Sequence, residues 1–443
     1  LDGLIPTFQR RDKIPHYDND KMPNSHSIVM PVPGKVIIPL QDVPEDAYEV
    51  FVSVGDNVKT GQEIGTIGTG TDSLSVHATV SGEVVAVGEM FHPLVQHVAS
   101  VEIRSDGLDE HEEHRPFKYS DKTDPFDFLR KMGVPLEYRR IRNVSTIIIN
   151  ATEFELCFNS RERIIIEQGK KIAEGLRLLV FSTGARAVFL VERRQTGIIK
   201  VIRNLIAVSE KTEIKLVNKP YPDTVRELVR KKSIAAENGR EKKRSIHSTV
   251  IINPDVLAAV HDAYYLGLPF INEFLSIVGS AVRTPQNLWT RMGTLLVDVI
   301  EFAGGNIENT RRVTIGGALM GRPQFSLEVP VIRKTRGIYA AIALTFQEER
   351  KSKFYRRGPC IRCGKCIDVC PASLVPNHLA ELIEHRHFEE AEEQGLFSCL
   401  ECGLCYYVCP SIIPLVELVK LGKLKLKGRD SLLIFNSYKT HSF

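Results

Sequence analysis

Long apolar runs are missing from this chain: no stretch reaches the roughly 18 uninterrupted apolar residues that a transmembrane helix needs. The nearest, residues 264–282, is broken by Asn272, Glu273, Ser276 and Ser280. A positively charged start followed by an apolar segment is also absent, so no secretory signal is expected and the chain reads as soluble and intracellular. Charge of one sign is scarce. The 58 Lys and Arg exceed the 54 Asp and Glu by only four, too few for nucleic-acid binding without a clustered basic patch. With 43% apolar and 25% charged residues, neither disorder nor a collagen-like repeat fits. The 443 residues suffice for about three domains.

Cysteine is what the chain has, and nearly all of it in one place. Eight of nine cysteines fall in two runs: Cys360, Cys363, Cys366 and Cys370 before Pro371, then Cys399, Cys402, Cys405 and Cys409 before Pro410. Three thiolates two residues apart, closed by Cys-Pro, suit a [4Fe–4S] cubane, with Gly364 and Gly403 easing the backbone around it. In two-cluster ferredoxins the fourth Cys of each run serves the other cluster. The expected ligands are therefore Cys360, Cys363, Cys366 and Cys409 for cluster 1, and Cys399, Cys402, Cys405 and Cys370 for cluster 2. A disulfide framework needs a short secreted chain. Zinc favours two Cys pairs or mixed Cys and His. The ninth thiol, Cys157, reads as a buried small hydrophobe.

The remaining pattern predicts a multi-domain α/β protein. Residues 1–30 read as an extended polar arm. Residues 31–105 alternate short β segments with tight glycine turns, as in a lipoyl-like barrel-sandwich hybrid. No Lys stands between Val76 and Ala86, which argues against a biotinyl or lipoyl carrier. His77, His92 and His97 share no metal-ligand spacing and read as structural. Residues 106–125 are a charged linker in which His111 and His114 are expected to be solvated. Residues 126–268 alternate strands and helices, the pattern of a Rossmann-like parallel sheet. Its expected helices include 223–232, followed by a basic run at 231–244. Residues 269–349 suit a β-grasp (SLBB-like) module, with further strands over 329–346. Residues 350–419 hold the Cys runs, joined by a helical spacer over 374–394 that indicates an α-helical ferredoxin domain. Residues 420–443 are a basic tail that suits a protein partner, an anionic bilayer or a solvated terminal helix or strand equally.

This order of parts resembles the C subunit of the Rnf complex, which couples electron transfer to ion pumping at the cytoplasmic membrane. The best-matching stretches are residues 55–61, 148–150, 293–305, the run Gly316-Gly317-Ala318-Leu319-Met320-Gly321 and the two Cys runs. Parts of the plan are shared by the flavin subunit of respiratory complex I and by a microcompartment cobalamin reductase. The family resemblance implies FMN and NADH in the Rossmann-like core, on a glycine-rich loop similar to GxGGAGFPT. Here that loop reads Lys131-Met132-Gly133-Val134-Pro135-Leu136, with one glycine left. A second element, usually similar to NGAECEP, reads Asn150-Ala151-Thr152-Glu153-Phe154-Glu155-Leu156. A third, usually similar to YPxGxEK, reads Tyr221-Pro222-Asp223-Thr224-Val225-Arg226-Glu227. Glycine is lost at all three, so Cβ atoms stand where phosphate and flavin would approach the backbone. FMN is not expected and NADH oxidation is expected to be lost. Glu153 and Glu155 read as carboxylates at a strand end rather than an acid/base pair.

Three functions remain open from sequence. The first is an electron-transfer subunit of an Rnf-type complex without NADH chemistry, fed by reduced ferredoxin. The second is an FMN-containing, NADH-oxidising C subunit. The third is a scaffold whose clusters lie off the electron path. All three place the chain at the cytoplasmic face of the membrane, held there by the other subunits of the complex.

Overall fold

The computed structural model describes residues 25–70, 73–118, 124–153, 155, 157–193, 195–206, 211–217, 248–333, 335–342 and 357–427. The expected helix at 223–232, the basic run at 231–244 and residues 428–443 of the tail lie outside them.

The first unit is all β. After the short strand β1 (Ile28–Val29) come β2 (Lys35–Pro39), β3 (Tyr48–Val50), β4 (Asn57–Val58), β5 (Glu63–Ile67), β6 (Leu74–His77), β7 (Gly82–Phe91) and β8 (His97–Ser105). They form two sheets, ordered β2-β8-β7-β4 and β3-β5-β6. The inward residues Val36, Ile38, Leu40, Ile64, Val84, Val101 and Ile103 fill the space between them, the alternation expected when one face of an antiparallel strand is buried. Gly82 sits at φ 149° with the carbonyl of Arg104 only 2.0 Å from where a Cβ would stand, so no other residue fits this crossing.

The second unit runs through α1 (Pro125–Lys131), α2 (Tyr138–Ile141), β9 (Thr146–Asn150), α3 (Ser160–Thr183), β10 (Arg186–Glu192), α4 (Thr196–Ile206), β11 (Thr212–Val217), β12 (Thr249–Ile252) and α5 (Pro254–His261). A π-helical turn at Asp262–Leu266 follows and ends on Gly267 in the left-handed region. The sheet order is β11-β10-β9-β12, and every pairing is parallel. Strands covered on both faces must be apolar throughout, and Ile147, Ile149, Phe189, Val191, Val250 and Ile252 meet one helical layer.

The third unit comprises β13 (Asn272–Val278), β14 (Gln286–Arg291), α6 (Leu296–Phe302), β15 (Arg312–Ile315), β16 (Arg322–Pro323) and β17 (Gly337–Ala341). Its mixed sheet has the order β1-β14-β13-β17-β15-β16, with Leu296, Val299 and Ile300 of α6 packed on it. Of the strands expected over 329–346, β17 is the one described.

The last unit is helical: α7 (Lys365–Asp368), α8 (Pro376–Glu384), α9 (Phe388–Glu393), α10 (Leu404–Val408) and α11 (Leu415–Lys427). Leu379, Leu382, Ile383, Leu396 and Val419 form its core.

Three segments differ from the sequence reading. The end of the arm is not free: β1 pairs in parallel with β14, Ile28 opposite Leu288 and Val29 opposite Trp289. The charged linker is a strap on the barrel. Thr60 N donates to Glu110 O at 2.8 Å, and Asp109 binds both Thr60 Oγ1 at 2.7 Å and Arg291 at 2.6 Å. His114, expected in solvent, lies half-buried with Nε2 2.8 Å from Gly61 O. The basic tail does not begin at 420, because α11 continues through it to Lys427.

Candidate functional site

The two Cys runs repeat a backbone device. Each passes a non-glycine residue in the left-handed region two positions after its first Cys, Arg362 (φ 53°) and Glu401 (φ 55°). Each then enters a short helix from a left-handed glycine, Gly364 before α7 and Gly403 before α10. Each has another left-handed residue three positions after its last Cys, Ser373 and Ile412. Such conformations cost about 1–3 kcal/mol apiece and persist where the surroundings impose them. Four at matching positions wrap the two loops in the same way.

The thiols do not group by run. Cys370, Cys399, Cys402 and Cys405 line a single cavity closed by Pro371, Leu374, Leu379, Val416 and Val419. Burial pushes the Cys402 thiol up to about 12, with Cys399 and Cys370 adding to it. Cys405 is driven well above its ordinary value by burial and then by Cys402, Cys399 and Cys370. The other set is more open: Cys360 and Cys363 are exposed, Cys366 and Cys409 half-buried. The Cys366 thiol is raised by burial first, with Cys409 and Cys360 as its like-charge neighbours. The last Cys of each run thus stands with the other run. Among the described residues no three His, Cys, Asp or Glu side chains converge tightly enough for a single ion. Four soft thiol donors lining one cavity are the donor set that an iron–sulfur cubane takes. Backbone amides add N–H···S contacts, Leu374 to Cys370 at 3.3 Å and Glu401 to Cys399 at 3.4 Å.

The cleft at the end of β9 is built differently. Gly133 has φ 73°, and a Cβ there would meet Ser75 O at 2.9 Å and His77 Nδ1 at 3.3 Å. This surviving glycine lets α1 approach the barrel. His77 is buried in the contact and pushed down to about 3, by burial first and then by His114 and Arg333. Glu153 Oε1 accepts from the amides of Arg161 at 2.7 Å and Glu162 at 3.1 Å. These are among the first amides of α3, where a carboxylate is favoured by the helix dipole. The Arg161 guanidinium donates to Thr152 O and, at 3.1 Å, to Asn253 Oδ1. Glu153 thus caps the start of α3.

Glu155 serves another element. Its Oε1 accepts from the amides of Leu319 at 2.8 Å and Met320 at 2.5 Å. It presses on Gly317, where an added Cβ would stand 2.1 Å from Glu155 Cγ. The same loop touches the Cys domain, since a Cβ on Gly403 would lie 2.7 Å from Leu319 O. Sequence reasoning missed this joint and the two lysines beside it. Lys423 Nζ donates to Cys399 O at 2.7 Å and Glu401 Oε1 at 2.8 Å, and Lys420 Nζ donates to Met320 O at 3.1 Å. Their only sequence signal was the Lys-Leu alternation of the supposed tail.

Comparison with known proteins places these parts. Residues 14–108 match the RnfC barrel sandwich hybrid domain, 274–323 the SLBB domain and 353–410 the 4Fe-4S dicluster domain. The C subunit of the ion-translocating oxidoreductase complex of Rhodobacter capsulatus is 32% identical over 421 residues, 91% of this chain and 80% of that protein. The chain belongs to the Rnf C-subunit family. Another member, the C subunit of the Na(+)-translocating ferredoxin:NAD(+) oxidoreductase complex of Acetobacterium woodii, is 30% identical, covering 81% of this chain and 84% of its own length. Among solved structures, an NAD+-reducing [NiFe]-hydrogenase in the air-oxidized state aligns with a TM-score of 0.45 at 13% identity, over 67% of this chain and 63% of that one. As the sequence pattern predicts, the family architecture here is a multi-domain α/β chain with a barrel-sandwich hybrid, an SLBB domain and a 4Fe-4S domain. Among its described residues no helix is long and apolar enough to cross a membrane.

Proposed function

We propose that this Rnf C-type protein relays electrons through two [4Fe–4S] clusters in a membrane-bound Rnf-type complex that couples electron transfer to ion translocation. The observation that carries this reading is the gathering of Cys370 with Cys399, Cys402 and Cys405 around one cavity. These four would hold one cluster, and Cys360, Cys363, Cys366 and Cys409 the other. A cluster of this kind supplies reversible one-electron transfer. The protein contributes the thiol donors, the N–H···S contacts and the exclusion of water from the second set.

Reduced ferredoxin is the proposed donor, and NADH oxidation is proposed to be absent from this subunit. The support for the second part is the shortened glycine-rich loop, whose one remaining glycine, Gly133, packs against Ser75 O of the barrel. Attachment is peripheral, at the cytoplasmic face, through the partner subunits.

The test is anaerobic iron, sulfide and flavin analysis of the purified protein. The expected result is about eight iron and eight sulfide per chain, no stoichiometric FMN, and no cluster bleaching by NADH. Cys370→Ser should remove the EPR signal of the cluster held by the second run. Loss of the first-run signal instead would overturn the ligand assignment, and bound FMN or bleaching by NADH would restore the NADH-oxidising reading.

A further inference from the structure

The two thiol sets sit in different electrostatic surroundings. Near the first, Arg357, Arg362 and Lys365 are exposed, so water and salt screen their charge. Beside the second, α11 turns one face to the cavity. Val416 and Val419 line it, and one turn further on Lys423 is only 7% exposed. A lysine is rarely buried, because desolvating its ammonium costs several kcal/mol unless an anion is fixed beside it. Glu401 provides that anion at 2.8 Å. The remaining hydrogen bond of Lys423 goes to the carbonyl of Cys399 at 2.7 Å, and the amide of Glu401 meets the sulfur of Cys399 at 3.4 Å. The lysine end of the ion pair thus reaches Cys399 directly, and the Glu401 carboxylate acts on the same thiol through its charge.

Lys420, Arg322, Glu155 and Glu417 complete the charged surroundings. They stand farther out: Lys420 reaches the carbonyls of Met320 and Gly321, and Glu155 the amides of Leu319 and Met320. Lys423 is the charge in direct contact with a Cys of the set, and Glu401 is the carboxylate paired with it.

We propose that the pair of buried Lys423 and half-buried Glu401 sets the one-electron midpoint potential of the second site, Lys423 raising it and Glu401 lowering it, while the first site is left to solvent. The proposal rests on the reading above that both thiol sets carry clusters. Passing one electron between the sites oxidises one by a single electron and reduces the other by one. No bond breaks and no proton moves, so fixed charge acts directly on the driving force. The electron adds one negative charge to a site with little water around it. A cation there favours the reduced form and an anion disfavours it. Lys423 and Glu401 are positioning residues that tune the site without ligating it.

The test is an anaerobic redox titration of the full chain followed by EPR, with dithionite as reductant and iron content measured on every sample. Lys423→Met should lower the potential of the second site, and Glu401→Gln should raise it. Lys423→Arg should leave it near the wild-type value, and the first site should not move in any variant. If Lys423→Met fails to hold the second cluster, Glu401→Gln decides alone: a raised potential upholds the proposal and an unchanged one overturns it. Shifts of the same sign in both variants, or equal shifts at both sites, also overturn it. Wild-type protein with iron for only one cluster would instead defeat the underlying two-cluster reading.

Discussion

Single carboxylates do unequal work in this chain, and Glu153 shows how. Its Oε1 caps α3, but its Oε2 is buried without a hydrogen-bond partner among the described residues. Burial outweighs the nearby Arg161 and raises the group from 4.5 to about 7. The folded state therefore binds this proton more tightly than the unfolded chain does. The stabilisation is complete below about pH 4.5 and is lost as pH rises through about 7. At about 1.4 kcal/mol per pKa unit, the loss comes to about 3 kcal/mol. Glu153→Gln removes the titration while keeping an oxygen for the two amides. Urea unfolding of both proteins from pH 4 to pH 8 should show the variant gaining on wild type by up to that amount. Parallel stability curves would mean that Glu153 titrates normally. The motif reading placed both acids at a strand end, but their separate duties could not be read there. Nothing in Glu153-Phe154-Glu155 says that one side chain turns back to its own helix and the other reaches a distant loop.

Elements were legible where burial is uniform. The strands carry continuous apolar runs at residues 147–149 and 187–191 because both of their faces are covered, and the spacer helices show an apolar stripe. The crossed arrangement of the thiols was expected from the ferredoxin pattern of the two runs, and the cavity groups Cys370 with Cys399, Cys402 and Cys405. The helix α11 was hidden because a buried position holds Lys423, which breaks the apolar stripe and leaves only a Lys-Leu alternation. Helix crossings are equally invisible in sequence, and α3 against α5 is the example. A Cβ on Gly175 would stand 2.1 Å from the carbonyl of Leu257, with the amide of His261 at 3.3 Å. Both are backbone, so the helices would have to separate. Gly175→Ala gains about 1 kcal/mol of helix propensity and meets an overpacking cost of about 1–3 kcal/mol. A net loss in melting temperature is expected. Gly197, in the first turn of α4, has nothing within 4 Å of its would-be Cβ, so Gly197→Ala should be neutral or slightly stabilising. If both variants melt alike, close approach is not why Gly175 is glycine.

At the scale of the molecule, a buried apolar cluster of Phe158, Leu319, Tyr339, Leu404 and Tyr406 joins three units, and polar contacts and close glycine approaches between segments far apart in the chain add to it. Glu155 joins the core to the SLBB loop, Gly403 seats the Cys domain on that loop, and Gly133 seats α1 on the barrel. The end of the arm is another tie, and a two-residue strand with a distant partner leaves no pattern in the sequence. Ser27 N donates to Glu167 of α3 at 2.8 Å, and Met30 N donates to the carbonyl of Trp289 at 2.9 Å. Glu167 also pairs with Arg163 at 2.9 Å. Residues 25–30 thus bind the core helix at one end and cover the edge of β14 at the other. Ile28 and Val29 remain largely exposed, so the tie rests on hydrogen bonds, each worth about 1 kcal/mol. Two truncations separate this tie from the rest of the arm. Removing residues 1–24 keeps β1 with its bonds to β14 and α3 and serves as the reference. Removing residues 1–30 should cost about 2–3 kcal/mol and uncover the edge of β14, a template for pairing with another chain. Thermal melts with light scattering measure both effects. Equal melting temperatures and equal scattering for the two truncations would show that β1 contributes nothing to the sheet it joins.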